Sequence, residues 1–261
     1  GTERVYSTLG QPNWLAGFIV ILLPNILSYI FEGGFKDSII WSTIFVTSFF
    51  GLWVTFSISG FLAFITSLVI FIGLNWDRVK SKLSWAGIIF TLTILISVLN
   101  PGIFKQKIHD VFIDLEKIYQ TTFVAQAQEA NKVSDPGYIR LNLWKGTTNL
   151  ATSSIKNVFI GTGPETFPYE FQPFRPKQIN FSSEWDVVFN KPHNYYLELL
   201  TNIGVFGLAA YLLIIKQFFS SKNKVLIPSI IAFMIINLFG WPTVSTTLIF
   251  WVFLAKNNLK T

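Results

Sequence analysis

Cysteine is absent from this 261-residue chain, and histidine occurs only twice. Without thiols there is no disulfide, thiolate metal site or cysteine nucleophile. With only His109 and His193 a histidine zinc cage is out of reach, and any step that needs an imidazole falls to one of these two. Charge is scarce as well, at 13% of residues, against about 25% in an ordinary soluble domain. In its place stand 27 Phe and nine Trp, an apolar share of 51% and a mean hydropathy of +0.48. One domain of this size cannot bury that much apolar surface in its own core, so a bilayer must cover the rest.

Runs with little charge place the spans. Residues 14–31 form one, followed by 38–56, 57–76 and 83–101, the last closed by Asn100-Pro101-Gly102. After a long polar interval come 193–215, 225–240 and 242–255, the last two divided by Gly240-Trp241-Pro242. The predicted fold is therefore an all-α polytopic membrane bundle of about seven spans. It comprises an N-terminal bundle over 1–101, an extramembrane subdomain of helices and irregular loop over 102–192, and a C-terminal bundle over 193–261.

Seven crossings put Lys36, Arg78, Lys80, Lys82, Lys216, Lys222, Lys224, Lys256 and Lys260 on one side, opposed there only by Glu32, Asp37 and Asp77. Short basic loops mark the cytoplasmic face, so the C-terminus is expected inside and the long segment outside. That segment holds ten basic and nine acidic residues, so the pI near 9.4 reflects topology, and nucleic-acid binding loses its support. The spans are nearly charge-free, which weighs against ion-coupled transport. The chain opens on Gly1 with no recognisable leader and reads as the later part of a longer protein.

The outer segment is long enough for chemistry. Residues 105–132 space Ile108, Phe112, Leu115, Ile118 and Tyr119 as an amphipathic helix carrying His109 beside Asp110. A second helix starts near Tyr138 with Arg140, Trp144 and Thr147 on one face, and Gly161-Thr162-Gly163-Pro164 marks a turn beyond it. This turn lacks the third glycine and the lysine of phosphate-binding loops and reads as structural. Residues 168–192 read as irregular loop that delivers His193 and Asn194 to the mouth of a span, where they either cap the helix or act chemically. Arg140 is either a salt-bridge partner or a phosphate ligand. Glu184 and Asp186 form a hydrated pair or, in a metal-dependent transferase, a cation site.

Several stretches taken together resemble the O-antigen ligase and polymerase superfamily. They are Arg140-Leu-Asn-Leu-Trp144, then Phe159-Ile-Gly161-Thr-Gly163-Pro-Glu165-Thr-Phe167, then His193-Asn194-Tyr-Tyr-Leu197 running on to Gly204-Val-Phe-Gly207, in that order. Upstream, Arg4 to Ala16 and Thr55-Phe-Ser57-Ile-Ser-Gly60 are similar to further family segments. The resemblance implies a bacterial inner-membrane glycosyltransferase that moves a glycan from a polyprenyl-diphosphate carrier to a hydroxyl of a glycan, lipid or protein. It also implies inversion at the anomeric carbon, with no metal and no cofactor. His193 would be the base and Arg140 the diphosphate ligand. Arg175, Lys177, Arg4, Asn194, Gly161, Gly163 and Glu165 are further substrate-binding candidates.

The chain departs from the family at Ile58, where an arginine is usual, so Arg4, Arg175 or Lys177 must stand in or activity suffers. A repeat-unit polymerase or a protein O-oligosaccharyltransferase of the same superfamily is the nearest alternative. A non-catalytic lipid-linked glycan binder or transporter is the alternative of another class.

Overall fold

A computed structural model describes residues 4–99, 136–219 and 223–258, and among these it is helical throughout with no strand. The expected helix over 105–132, with His109, lies outside the described residues. Two compact units result. One comprises Gly1–Lys105, Ile214–Asn237 and Pro242–Thr261; the other comprises Gln106–Leu213 and Leu238–Trp241.

The first unit opens with α1 (Pro12–Glu32), α2 (Phe35–Thr55), α3 (Ile58–Leu74), α4 (Trp76–Ser81) and α5 (Leu83–Leu99). Ala16, Val20, Leu23, Leu27 and Ile30 recur at alternating four- and three-residue steps and form the buried stripe of α1. Phe45, Phe49 and Leu52 of α2, with Phe61 and Phe64 of α3, complete the same core. Outside it, large apolar side chains are left uncovered, among them Phe35, Val69 and Phe90, each more than 60% exposed. In a soluble protein that surface would be a liability; here it is what lipid covers.

Among the described residues three helices have the length and hydropathy of a membrane span: α1, α2 and α9 (Tyr195–Phe219). Shorter apolar helices are α3, α5 and α10 (Leu226–Leu238), and α11 (Val244–Asn258) closes the chain. The protein is a multi-pass helical membrane bundle.

The turns between these helices follow local chemistry. Pro12 occupies the first turn of α1, where its missing N–H costs nothing. At the α2–α3 turn Phe56 takes a left-handed φ of 50°, and Ser57 Oγ accepts the Gly60 amide at 3.2 Å to cap α3. The short basic connection between the spans holds the short helix α4. Arg78 pairs with Glu32, and Lys82 Nζ donates to the carbonyl oxygens of Ile30 (3.1 Å) and Gly33, tying α4 to the end of α1.

α1 and α3 meet at Gly60. A Cβ there would stand 2.8 Å from the Cβ of Ala16 and 3.1 Å from Leu52 Cδ1, so only glycine permits this approach. Gly60→Val is expected to cost about 1–3 kcal/mol through overpacking. Gly73→Ala, where a Cβ meets nothing within 4 Å, should be neutral or slightly stabilising. Thermal unfolding of the two variants in detergent, side by side, checks the contrast.

Candidate active site

The second unit is built on a broken helix. α9 is interrupted at Gly204, whose φ of 66° and ψ of −172° are not helical. In an unbroken helix the carbonyls of Thr201 and Asn202 would accept from amides four residues on. Here they accept from Thr162 N–H at 2.7 Å and Gly163 N–H at 3.0 Å. The two segments approach so closely that a Cβ on Gly161 would lie 2.5 Å from the Asn202 carbonyl carbon. One on Gly204 would lie 2.3 Å from the backbone of Phe159.

Gly161 (φ 83°) and Gly204 are thus the two halves of one joint. Gly161 N–H itself donates to Asn157 O at 3.1 Å, so the amides of residues 161, 162 and 163 are all committed within the fold. Those of Thr162 and Gly163 serve the helix break, that of Gly161 ends the helical turn before it, and none is presented as a phosphate cradle.

Ahead of the break, Lys191, Pro192, His193 and Asn194 lead into α9. Asn194 Oδ1 accepts from the amides of Tyr196 (3.0 Å) and Leu197 (3.1 Å), which makes Asn194 the cap of the helix. His193, just before the cap, takes a left-handed φ of 55°. Lys191 Nζ reaches the Glu198 carboxylate and, at 3.4 Å, Glu165 Oε1. Burial works against the Lys191 ammonium, but the bonds and charges of Glu198 and Glu165 outweigh it and hold its pKa above the ordinary value.

Glu198 is only 6% exposed, and its second oxygen is buried with no hydrogen-bond partner among the described residues. Reading 193–215 as a run of little charge passes over this carboxylate. Its signal was the pairing of Lys191 with Glu198 on either side of a helix start.

Arg140 and Trp144 sit one turn apart on α6 (Pro136–Ala151), beside the buried stripe of Ile139, Leu143 and Leu150. That stripe packs on Phe167, Phe171, Ile179 and Phe189. The stretch expected to be irregular therefore holds α8 (Phe167–Glu170) and 3₁₀ turns at Gln172–Phe174 and Lys177–Phe181, following the short α7 (Ile155–Phe159). Apolar side chains at three- to five-residue steps were enough to fold it into a small core. A Cβ on Gly146 would lie 2.7 Å from the Phe171 ring, so this glycine lets the turn lie flat on α6.

Burial, and after it the positive charge of Arg140, lowers the His193 pKa from 6.5 to about 4, with the Lys191 backbone acting in the opposite sense. The imidazole is neutral at pH 7, and its Nδ1 is buried with no hydrogen-bond partner among the described residues. Glu184 also lies in the field of Arg140; burial raises its pKa and the guanidinium opposes the rise.

The walls of the site are aromatic. The Trp241 ring stands 5.1 Å from the His193 ring at 77°, and Phe189 stands 6.5 Å away at 81°. Phe239 lies 6.4 Å from Trp144. Phe239 and Trp241 come from the turn between α10 and α11, which in the sequence reads only as a helix break.

The remaining candidates have other placements. Arg175 donates to the carbonyls of Val187 (2.7 Å), Trp185 (2.7 Å) and Glu184 (3.2 Å) and lies over the Phe189 ring, so it organises the 184–189 loop. Lys177 is exposed at the start of a 3₁₀ turn. Glu165 is exposed and faces Lys191. Arg4 belongs to the other unit, where it donates to Thr55 O at 2.9 Å and to Asn13 Oδ1 at 3.0 Å. Ile58, 51% exposed, begins α3 at the same turn. Among the described residues no group of three or more His, Asp or Glu gathers to hold a metal ion.

The glycine joint predicts a graded response. Gly204→Ala should cost about 3 kcal/mol or more, from a strained φ together with a backbone clash. Thr162→Ala loses the side-chain bonds to Thr201 O at 3.1 Å and to the Thr166 hydroxyl at 2.7 Å but keeps the backbone bond, and should cost about 1–2 kcal/mol. The yield of monodisperse protein, together with its melting temperature, measures both.

A family model described as O-antigen ligase matches residues 43–212, more than half of the chain. No curated protein and no solved structure matches it. The matched stretch takes in Arg140, Trp144, the Gly161–Gly204 joint, His193 and Glu198. On this match the chain belongs to the O-antigen ligase family, whose work is membrane glycan transfer.

Proposed function

We propose that this protein moves a glycan from a polyprenyl-diphosphate carrier to an acceptor hydroxyl, with Arg140 holding the diphosphate and His193 taking the acceptor proton. The observation that carries the reading is a neutral, partly buried imidazole lying in the field of one arginine. A glycosyl diphosphate already has a good leaving group, so the protein needs a cation for the phosphates and a base for the nucleophile. The guanidinium supplies the first by paired, charge-assisted hydrogen bonds.

The two groups are coupled. While Arg140 is unliganded its charge holds the proton off His193; a bound diphosphate offsets that charge and raises the proton affinity of the imidazole. The base strengthens when the donor arrives. The hydroxyl oxygen attacks the anomeric carbon as its proton passes to His193, and the diphosphate leaves with the bonding electrons from the opposite face. The product is inverted, and no metal takes part.

The site is assigned to the outer face of the bacterial cytoplasmic membrane, with seven crossings and the C-terminus inside. Arg4 provides the guanidinium at the α2–α3 turn, where Ile58 has none. Transfer of whole chains in one event is the ligase reading; a ladder of products on a gel would assign the protein to the polymerases.

His193→Ala should lower the transfer rate by about 10²–10⁴-fold, as loss of a general base does. Arg140→Ala should weaken donor use by about 10- to 150-fold, equivalent to one charge-assisted hydrogen bond. Parental rates of lipid-linked glycan transfer in either variant overturn the assignment.

The acid limb of kcat/KM is expected near pH 4, because the free-enzyme imidazole stays neutral down to that pH. Removing the neighbouring positive charge favours protonation, so Arg140→Gln should move the His193 titration upward toward 6.5. With only two histidines in the chain, histidine-labelled NMR reads this directly once His109→Gln has assigned the signals.

A further inference from the structure

Trp144 carries a polar atom that the transfer chemistry does not use. Its indole Nε1 is buried, yet it has no hydrogen-bond partner among the described residues. An indole N–H can only donate, and leaving a buried donor unmatched costs about as much as losing a hydrogen bond. Such an atom points to an acceptor that arrives with a ligand. The position is specific: Trp144 lies one turn from Arg140 on α6 and faces Phe239, while Trp241, from the same short turn as Phe239, stands against His193.

Two tryptophans and a phenylalanine thus flank the cation and the base, and His193 Nδ1 is a second buried polar atom with no hydrogen-bond partner among the described residues. Aromatic walls with a few hydrogen-bonding atoms suit a ring that is apolar on its C–H faces and polar at its edge, which describes a pyranose. A bare diphosphate or an isoprenoid chain offers no such combination.

We infer that Trp144 is a sugar-recognition residue: its indole N–H donates to a hydroxyl or ring oxygen of the first sugar on the carrier, beside the rings of Phe239 and Trp241. The role rests on the glycan-transfer reading and deepens it. Arg140 holds what every donor shares, the diphosphate, and Trp144 holds what distinguishes a loaded carrier from a spent one. Without that second contact, released carrier would compete with donor on equal terms.

The test compares two probes on the full chain in nanodiscs: undecaprenyl-diphosphate-linked N-acetylglucosamine and bare undecaprenyl diphosphate. The parent should bind the loaded lipid more tightly. Trp144→Phe, which keeps the ring and removes the donor, should lose about tenfold for the loaded lipid and nothing for the bare one, the equivalent of one net hydrogen bond. Trp144→His, which restores a ring N–H, should recover part of the preference and guards against a folding artefact, as does an unchanged melting temperature.

Equal weakening toward both lipids would make Trp144 a packing residue and overturn the inference. An unchanged preference in Trp144→Phe would also overturn it while leaving glycan transfer standing. Failure of the parent to bind either lipid would sink both readings.

Discussion

Two backbone hydrogen bonds, from Thr162 and Gly163 to the carbonyls of Thr201 and Asn202, are the constraint on which the candidate site depends. A helix of membrane-spanning length has no water with which to repair a break, and each unmatched backbone group in apolar surroundings costs several kcal/mol. The break at Gly204 is tolerable because the 161–163 turn supplies the donors that the helix no longer can. Closeness is what makes the exchange possible, and closeness requires glycine on both sides, at Gly161 and Gly204. Once the joint is made, the first turns of α9 are fixed against the turn that precedes α8. Asn194, as cap, then sets where His193 leaves the helix axis.

On that frame the charges sort into two groups. Glu198, buried inside α9, is met by Lys191, which also faces Glu165, so the carboxylate in the helix is balanced locally. A partly buried ion pair of this kind contributes little net stability, but removing Lys191 would strand the buried Glu198 carboxylate. It holds the residue two before His193 to the helix five residues after it. The second group is Arg140 with His193 and Glu184 in its field. Burial sets the base first, and the charge that adds to it comes from one guanidinium, the same group to which an anionic donor would be drawn.

Much of this was legible from residue order alone. Among the described residues helices occupy the stretches read as spans, because runs such as 14–31 and 38–56 combine apolar character with turn residues beyond their ends, Gly33-Gly34 and the stretch opening at Ser57. His193 is one of only two imidazoles in the chain, whereas Arg140, one of ten basic residues in its segment, is singled out by the family resemblance. What stayed hidden has physical reasons. The partnership of Gly161 with Gly204 joins residues far apart in the chain, and nothing local to either names the other. The contributions of Phe239 and Trp241 are long-range in the same way. Arg175 looked like an anion ligand, yet a guanidinium on a loop serves equally well to gather carbonyls, and it gathers three. Residues 168–192 looked irregular because the prolines of their first half mask an apolar spacing that a neighbouring helix completes.

The turn between α2 and α3 shows how a charge can be supplied from elsewhere in the chain. Where α2 ends, the last carbonyls have no helical donor and carry the negative end of the helix dipole. Thr55 O is one of them, and Arg4 meets it with Nε while another of its nitrogens holds Asn13. Burial lowers the pKa of this guanidinium, but an arginine stays protonated in proteins, so a cation is held in a half-buried place. The need for a positive charge at this turn comes first from the backbone, and a side chain arriving from a preceding segment can satisfy it as well as one on α3 itself. An apolar Ile58 is then compatible with the fold, because the electrostatic demand of the helix end is met 54 positions earlier in the chain.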